Sequence, residues 1–86
     1  MSYRILFTKH AAATVKKLPK EIKERIEVSL RRIQTRPYNF IDKLVSQPYY
    51  KFRVGDYRII LDIIDEDLII LIVEVGHRNK IYKRFK

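Results

Sequence analysis

The spacing of the apolar residues changes at Pro48, and this change restricts the fold more than any other feature of the sequence. After it, apolar and polar residues alternate in three runs, YYKFRV, YRIILDII and LIILIVEVG, which are separated by GD and DED. A period of two is typical of β-strands, and short turns join antiparallel neighbours. Residues 49–76 are therefore predicted to form an antiparallel meander of three strands.

The first half of the chain has the pattern of one strand and two helices. Residues 3–7, YRILF, alternate as a strand would, and Thr8 can cap a helix that ends at Leu18. Pro19 suits the first turn of a second helix, where its missing N–H costs nothing, and Pro37 ends that helix. The apolar stripe of the second helix consists of Ile22, Ile26, Leu30 and Ile33.

Neither half can bury its apolar face alone, so the sequence predicts an α+β fold in two layers with the order β-α-α-β-β-β. The N-terminal helical hairpin is expected to pack on one face of a mainly antiparallel four-stranded sheet. Residues 38–48 show little periodicity, and we assign no regular element to them. A chain of 86 residues supports one modest core, so residues 1–86 are predicted to be a single domain.

The GD turn fixes which side chains of the meander share a face. If residues 55–56 form a two-residue turn, Arg53 stands directly opposite Arg58. Lys51 precedes Arg53 by two residues and points the same way, whereas Phe52 points to the other face, which must be the core. The sequence thus predicts a basic face on the side of the sheet away from the helices.

The register of the last strand depends on the length of the loop before it. If DED is a three-residue loop at 65–67, Glu74 lies opposite Arg58 and can hold it in place. If the strand continues past Gly76, Arg78 projects from the basic face as well. The core positions expected on this strand are Ile69, Leu71, Val73 and Val75.

The chain carries a formal net charge of +9, from 19 Lys and Arg against 10 Asp and Glu. Such an excess attracts polyanions, namely nucleic acid or an acidic protein. Like charges directly opposed across two strands destabilise a sheet, which favours a bound anion on the basic face. An ordinary solvated face of a basic protein explains the same spacing equally well, so both interpretations stay open at this point.

Two absences in the sequence restrict the function classes further. The chain has no cysteine, which rules out disulfides and thiolate metal sites and is typical of a reducing cytoplasm. The apolar stretch in MSYRILFTKH is too short for a signal peptide, and no run is long enough to span a bilayer. We therefore expect a soluble, cytoplasmic protein with no membrane partner.

The segments KFRVGDYRIILDI and VEVGHRNKIY, with the elements around them, resemble the RelE family of toxins from prokaryotic type II toxin-antitoxin modules. The resemblance spans nearly the whole chain and is most specific in the GDYR turn and the VGHR ending. It implies a metal-free and cofactor-free endoribonuclease that cleaves mRNA in the ribosomal A site and inhibits translation. In that reaction the ribose 2′-hydroxyl attacks the adjacent phosphorus and leaves a 2′,3′-cyclic phosphate.

The resemblance also implies partners. An acidic RelB-type antitoxin neutralises the toxin, and the toxin contacts mRNA and ribosomal RNA on the ribosome. We expect the toxin alone to be a monomer.

The resemblance assigns catalytic positions to Lys51, Arg53, Arg58, Arg78 and Tyr82. A lysine beside other cations holds its proton less firmly, so Lys51 is predicted to be the general base. Arg53 stands where some nucleases of the family carry a second lysine for that role. Arg58 and Arg78 are expected to bind the scissile phosphate through their forked donors. Tyr82 is expected to orient or stack on the nucleotide, although packing of the tail explains it nearly as well.

Basic residues outside this set are expected to contact RNA or the ribosome through salt-sensitive phosphate contacts. The expected contact residues are Lys16, Lys17, Lys20, Lys23, His77, Lys80, Lys83 and Arg84. A solvated helix face explains the helical lysines equally well. Strand alternation turns His77 away from the side that Arg78 faces. His10 is expected at the surface or in helix packing, without a catalytic part.

Two other functions fit the same sequence. A ParE-like toxin shares the fold and the VGHR-type ending but poisons DNA gyrase without cutting RNA. The third hypothesis is a basic RNA-binding module with no enzymatic activity, in which the loss of any one cation weakens binding only modestly.

Overall fold

The computed structural model describes residues 2–81 and has the α+β architecture that the sequence predicts. In chain order the elements are β1 (Arg4–Phe7), α1 (Lys9–Lys16), α2 (Lys20–Ile33), β2 (Asp42–Lys43), β3 (Tyr50–Val54), β4 (Tyr57–Ile64), β5 (Ile69–His77) and α3 (Arg78–Ile81). The sheet order is β1-β5-β4-β3-β2, with β1 parallel to β5 and the other pairs antiparallel. Between residues 2 and 81, no helix is long and apolar enough to cross a membrane.

The helical hairpin begins with the predicted cap. The Thr8 hydroxyl accepts the N–H of Ala11 at 3.1 Å, which satisfies a donor that the first turn of α1 leaves free. The helix ends at Lys16, two residues before the predicted Leu18, because the chain tightens there into bonds between residues three apart. Pro19 is the residue before α2 and not part of its first turn, so the predicted start of this helix was one position early.

The main core lies between the helices and one face of the sheet. The apolar stripe of α2 is confirmed, since Ile26, Leu30 and Ile33 are buried and Ile22 is half-buried against them. The sheet contributes Phe52, Val54, Ile59, Leu61, Ile70, Ile72 and Val75, and α1 contributes Ala11. Burial of this apolar surface is what attaches both helices to the sheet.

The sheet has a fifth strand that the four-stranded prediction lacks. Residues Asp42 and Lys43 form β2, which pairs antiparallel with β3 so that Asp42 stands opposite Lys51 and Lys43 opposite Tyr50. Two residues are too few to show a period of two, which is why this strand was missed.

The turn between β3 and β4 has the predicted register. Arg53 stands opposite Arg58, and Val54 stands opposite Tyr57. Gly55 has a φ of 58°, a left-handed conformation that glycine adopts without steric cost. The two-residue turn therefore fixes the relative positions of the basic side chains on β3 and β4.

The register predicted between β4 and β5 is wrong. Gly76 stands opposite Arg58, and Glu74 stands opposite Ile60. One cause is the loop, which is one residue longer than expected because Leu68 adopts a left-handed conformation with a φ of 54°. The other is a β-bulge between Ile60 and Leu61, which adds one residue on β5.

These two extra residues decide which side of β5 is buried. A shift of one residue moves every side chain to the other face, so Ile70 and Ile72 enter the core in place of Ile69 and Leu71. The bulge then restores the predicted alternation, and Val75 is buried as expected. Val73 packs in a second cluster on the far face, not in the main core.

A carboxylate clamp joins the N-terminus, the end of α2 and the β4–β5 loop. The Tyr3 hydroxyl donates to Oδ1 of Asp65 at 2.7 Å, and the Tyr38 hydroxyl donates to Oδ2 at 2.8 Å. Gln34 exchanges two hydrogen bonds with the backbone of Tyr3, at 2.8 and 2.9 Å. The bonds from Tyr3 and then Tyr38 lower the pKa of Asp65. Burial, followed by the bond to Asp65, raises the pKa of Tyr38.

Replacement of Ile26 by Ala should lower the free energy of unfolding by about 2–5 kcal/mol, because the side chain is 1% exposed and its removal leaves a cavity. Val28→Ala on the same helix is the matched control, since Val28 is 53% exposed and its loss should cost less than about 0.5 kcal/mol. Urea titration followed by circular dichroism measures both. An equal loss of unfolding free energy in the two variants would contradict the burial of Ile26 in the core.

The clamp should stabilise the fold only within a window of pH. Because the pKa of Asp65 is lowered on folding, its contribution is present above the ordinary value of 3.8 and is lost as pH falls through the lowered one. The Tyr38 pKa is raised, so its contribution is complete below 10.0 and is lost as pH rises beyond it.

Asp65→Asn should therefore flatten the acid side of the stability profile, measured by urea titrations between about pH 2 and 7. Asp67→Asn, in the same loop, is the control and should keep the wild-type slope. An unchanged acid slope in Asp65→Asn would show that the clamp does not couple to folding.

Candidate nucleic-acid interface

A cleft of about 480 Å³ lies where the edge of the sheet passes α2. We call it the basic cleft, and it is lined by Ser29, Arg32, Phe40, Asp42, Lys51, Phe52, Arg53 and Arg58. It forms there because β2 pairs only with Tyr50 and Lys51, which leaves the rest of β3 beyond the reach of its neighbour. Its lining holds four cations and one carboxylate among the described residues. Such a cleft concentrates positive potential and attracts anions.

Three of the predicted catalytic residues meet in this cleft, but in different environments. Arg58 is 4% exposed, and its Nη1 donates to the carbonyl oxygens of Gly55 and Tyr57, each at 3.3 Å. Arg53, directly opposite, is exposed, and Lys51 is half-buried. Buried guanidinium groups require hydrogen-bond partners, which the β3–β4 turn supplies here. The cleft thus combines a fixed cation with solvent-accessible ones.

The sheet face opposite the main core is partly apolar, whereas the sequence predicted a basic face there. Leu44, Ile60 and Ile81 form a second apolar cluster on it. Ile60 follows Arg58 by two residues on the same face, so this cluster covers the region beside Arg58. Among the described residues of β3 and β4, the accessible cations therefore lie on β3, at this edge of the sheet.

Arg78 is placed by a helix and not by strand alternation. Because β5 ends at His77, the expected projection of Arg78 from the basic face does not apply. Its backbone N–H donates to the carbonyl oxygen of Asp56 at 2.8 Å, which anchors the start of α3 to the β3–β4 turn. Arg78 is exposed and does not line the basic cleft, although this anchor holds its backbone next to the turn that binds Arg58.

Glu74 and His10 form a contact that the sequence did not predict. The Nε2 atom of His10 lies 2.8 and 2.9 Å from the two carboxylate oxygens of Glu74, which is 8% exposed. The pair joins α1 to β5, so His10 is more than a surface residue. Both line a second pocket of about 370 Å³ with His77 and Lys80. His77 stands opposite Tyr57, with their ring centroids 5.7 Å apart.

The other predicted RNA-contacting residues lie away from the basic cleft or outside the described part. Lys16, Lys17 and Lys20 are exposed around the junction of α1 and α2. Lys23 is half-buried and lines a third groove beside Ile26. Tyr82, Lys83 and Arg84 lie outside the described residues.

Sequence reasoning missed three residues of the cleft. Phe40 and Asp42 belong to the segment without periodicity, and Ser29 lies between the apolar positions of α2. Arg32, also on α2, completes the part of the lining that lies outside β3 and β4. Nothing in the local sequence marks these positions, because they reach the cleft through tertiary packing.

Comparison with known proteins identifies the family of this chain. A family model described as the ParE toxin of the type II toxin-antitoxin system parDE matches residues 5–82. A RelE-like toxin protein of Escherichia coli is 31% identical over 83 residues, which cover 93% of this chain and 87% of that protein.

Solved structures give the same result. The RelBE2 toxin-antitoxin complex of Mycobacterium tuberculosis contains a chain with a TM-score of 0.82 and 27% identity, covering 91% of this chain and all of that one. The archaeal RelE-RelB complex of Pyrococcus horikoshii contains a chain with a TM-score of 0.77 and 26% identity, covering 93% of this chain and 99% of that one. The chain therefore belongs to the RelE/ParE superfamily of toxins from type II toxin-antitoxin systems.

Proposed function

We propose that this protein is the toxin of a RelBE-type module and acts as a metal-free, ribosome-dependent endoribonuclease that cleaves mRNA in the ribosomal A site. The observation that carries the proposal is the basic cleft, in which Lys51, Arg53 and Arg58 meet beside Arg32. The chemistry needs positive charge around a phosphorus whose oxygens become more negative in the transition state. A cleft of fixed and accessible cations suits that demand.

Each basic residue of this set has a distinct part in the proposed reaction. Lys51 acts as the neutral amine and accepts the proton of the 2′-hydroxyl, whose oxygen then forms a bond to phosphorus. Arg58 and Arg53 stabilise the non-bridging oxygens as negative charge accumulates on them. The bond from phosphorus to the 5′ oxygen breaks, and Arg78 donates a hydrogen bond to the leaving oxygen. The leaving oxygen takes up a proton from water and Lys51 releases its proton to solvent, so the products are a 2′,3′-cyclic phosphate and a 5′-hydroxyl.

Burial of Arg58 supports its part in this scheme. A guanidinium held by two carbonyl oxygens does not need to reorient when charge develops on the phosphate, so little energy is spent on reorganisation. Tyr82 is proposed to orient the nucleotide.

The partners follow from the same family. Solved relatives are complexes of RelE with RelB, so we assign this toxin an acidic RelB-type antitoxin that neutralises it. The net charge of +9 suits such a partner. The exposed lysines Lys16, Lys17 and Lys20 are proposed to contact ribosomal RNA through its phosphates. Lys23, His77, Lys80, Lys83 and Arg84 are proposed as further contacts.

Poisoning of DNA gyrase is the second candidate function. The family model that matches this chain is that of ParE toxins, which supports this candidate independently of the cleft. Under this function the basic cleft has no phosphodiester to cleave, and messages stay intact.

Arg53→Ala should reduce ribosome-dependent cleavage by about 10²-fold, because it removes one donor from the developing oxyanion while leaving the fold intact. Arg53 is exposed, so its loss should not unfold the protein. The measurement is primer extension of messages in a translating extract. Arg36→Ala is the matched control, since Arg36 is exposed and does not line the cleft.

Cleavage that is equal in Arg53→Ala and Arg36→Ala would contradict the proposed role of the cleft. Intact messages together with inhibited supercoiling by gyrase would instead establish the second candidate. The two assays use the same purified protein, so a single preparation separates the functions.

A further inference from the structure

The segment between α2 and β3 contributes two side chains that the phosphate chemistry does not use. Phe40 and Asp42 line the basic cleft beside its four cations. Phe40 is 45% exposed, although a large apolar ring is normally buried. Asp42 is the one carboxylate among the cleft-lining residues that the structure describes, and a carboxylate repels the phosphates that the cations attract.

Several contacts hold this segment in place. The Tyr38 hydroxyl donates a hydrogen bond to Oδ2 of Asp65 at 2.8 Å. Its ring packs edge-on against that of Tyr50, with the centroids 5.7 Å apart. The Phe40 N–H donates to the carbonyl oxygen of Pro37 at 3.1 Å, and Asp42 pairs with β3. Phe40 therefore lies between two anchored points. A wall that is already ordered loses little conformational entropy when a ligand binds.

An exposed aromatic ring among cations suits single-stranded RNA. Unstacked bases of RNA stack on aromatic side chains while Arg and Lys bind the neighbouring phosphates. Phe40 provides the ring, and Arg32, Lys51 and Arg53 provide the cations of the same cleft.

The Asp42 carboxylate selects among the bases. An ionised carboxylate only accepts hydrogen bonds, and its two oxygens can accept from two neighbouring N–H groups. Of the four RNA bases, only guanine presents two adjacent donors on its Watson–Crick edge, N1–H and the N2 amino group. Adenine, cytosine and uracil each place an acceptor beside the donor, which would face a carboxylate oxygen unfavourably.

We propose that Phe40 and Asp42 form a nucleobase subsite of the basic cleft, in which the base of the bound RNA stacks on Phe40 and a guanine is selected by Asp42. The subsite rests on the proposed function, because it presumes that the cleft binds RNA. It makes Phe40 and Asp42 determinants of sequence preference, separate from the cations that bind phosphate.

The test is fluorescence anisotropy with 2′-O-methyl pentanucleotides, which cannot be cleaved, carrying four uridines and a central guanine, adenine, cytosine, uracil or abasic site. The full-length protein should bind the guanine probe about tenfold more tightly than the abasic one. Phe40→Leu should remove most of this difference, while Phe40→Tyr should keep it because the ring remains. Phe7→Leu is the matched control, since Phe7 is 39% exposed and lies in another groove.

Asp42→Asn should change the affinity for the abasic probe and the affinity for the guanine probe in opposite directions. Loss of the negative charge should strengthen binding of the abasic probe and abolish the preference for guanine, because an amide offers one acceptor and one donor. Asp67→Asn is the control for charge alone, since it removes a carboxylate that does not line the cleft. Thermal unfolding of each variant checks that the fold is retained.

The outcomes separate the subsite from the proposed function. Equal binding of guanine and abasic probes, with weaker binding of both in Arg53→Ala, would overturn the subsite and leave the cleft as an RNA site. Probes that bind wild type and Arg53→Ala equally would overturn the proposed function of the cleft itself. If Asp42→Asn keeps the preference for guanine, the subsite is overturned. This holds even if the variant slows ribosome-dependent cleavage.

Discussion

The pairing of β3 with β4 is the interaction on which the site depends. A two-residue turn, with Gly55 in a left-handed conformation, places Arg53 directly opposite Arg58. Like charges at such a position oppose pairing of the strands, and here the carbonyl oxygens of Gly55 and Tyr57 offset part of that cost for Arg58. Arg53 keeps its hydration at the surface. The same turn accepts the N–H of Arg78, so it gathers cations from three elements.

The cleft exists because the residues that face β3 come from β2, from α2 and from the segment between them. Only two residues of β2 pair with β3, so the strand edge beside Arg53 stays accessible to a ligand. Arg32 reaches it from α2, whose position is fixed by its buried apolar stripe. Phe40 reaches it from a segment held by the clamp at Asp65. Core packing thus sets the distance between the side chains proposed to bind phosphate and those proposed to bind a base.

Sequence patterns predicted those features that depend on neighbours along the chain. The cap at Thr8, the stripe of α2 and the β3–β4 register all follow from spacing and turn chemistry. The β4–β5 register failed for two reasons. A left-handed Leu68 lengthens the loop without any glycine to indicate it, and a β-bulge between Ile60 and Leu61 adds a second residue on β5. Phe40 and Asp42 were missed since neither spacing nor a motif marks a side chain that enters a cleft through tertiary contacts.

The central claim is that the basic cleft binds an RNA phosphodiester, and NMR titration tests it most directly. The ligand is a dinucleoside phosphate without the attacking 2′-hydroxyl, added to uniformly ¹⁵N-labelled protein. The account predicts that the amide signals of residues 51–58 and the guanidinium signals of Arg53 and Arg58 shift together and saturate with one dissociation constant. Shifts confined to the lysines around the α1–α2 junction, with the signals of the cleft unchanged, would contradict it.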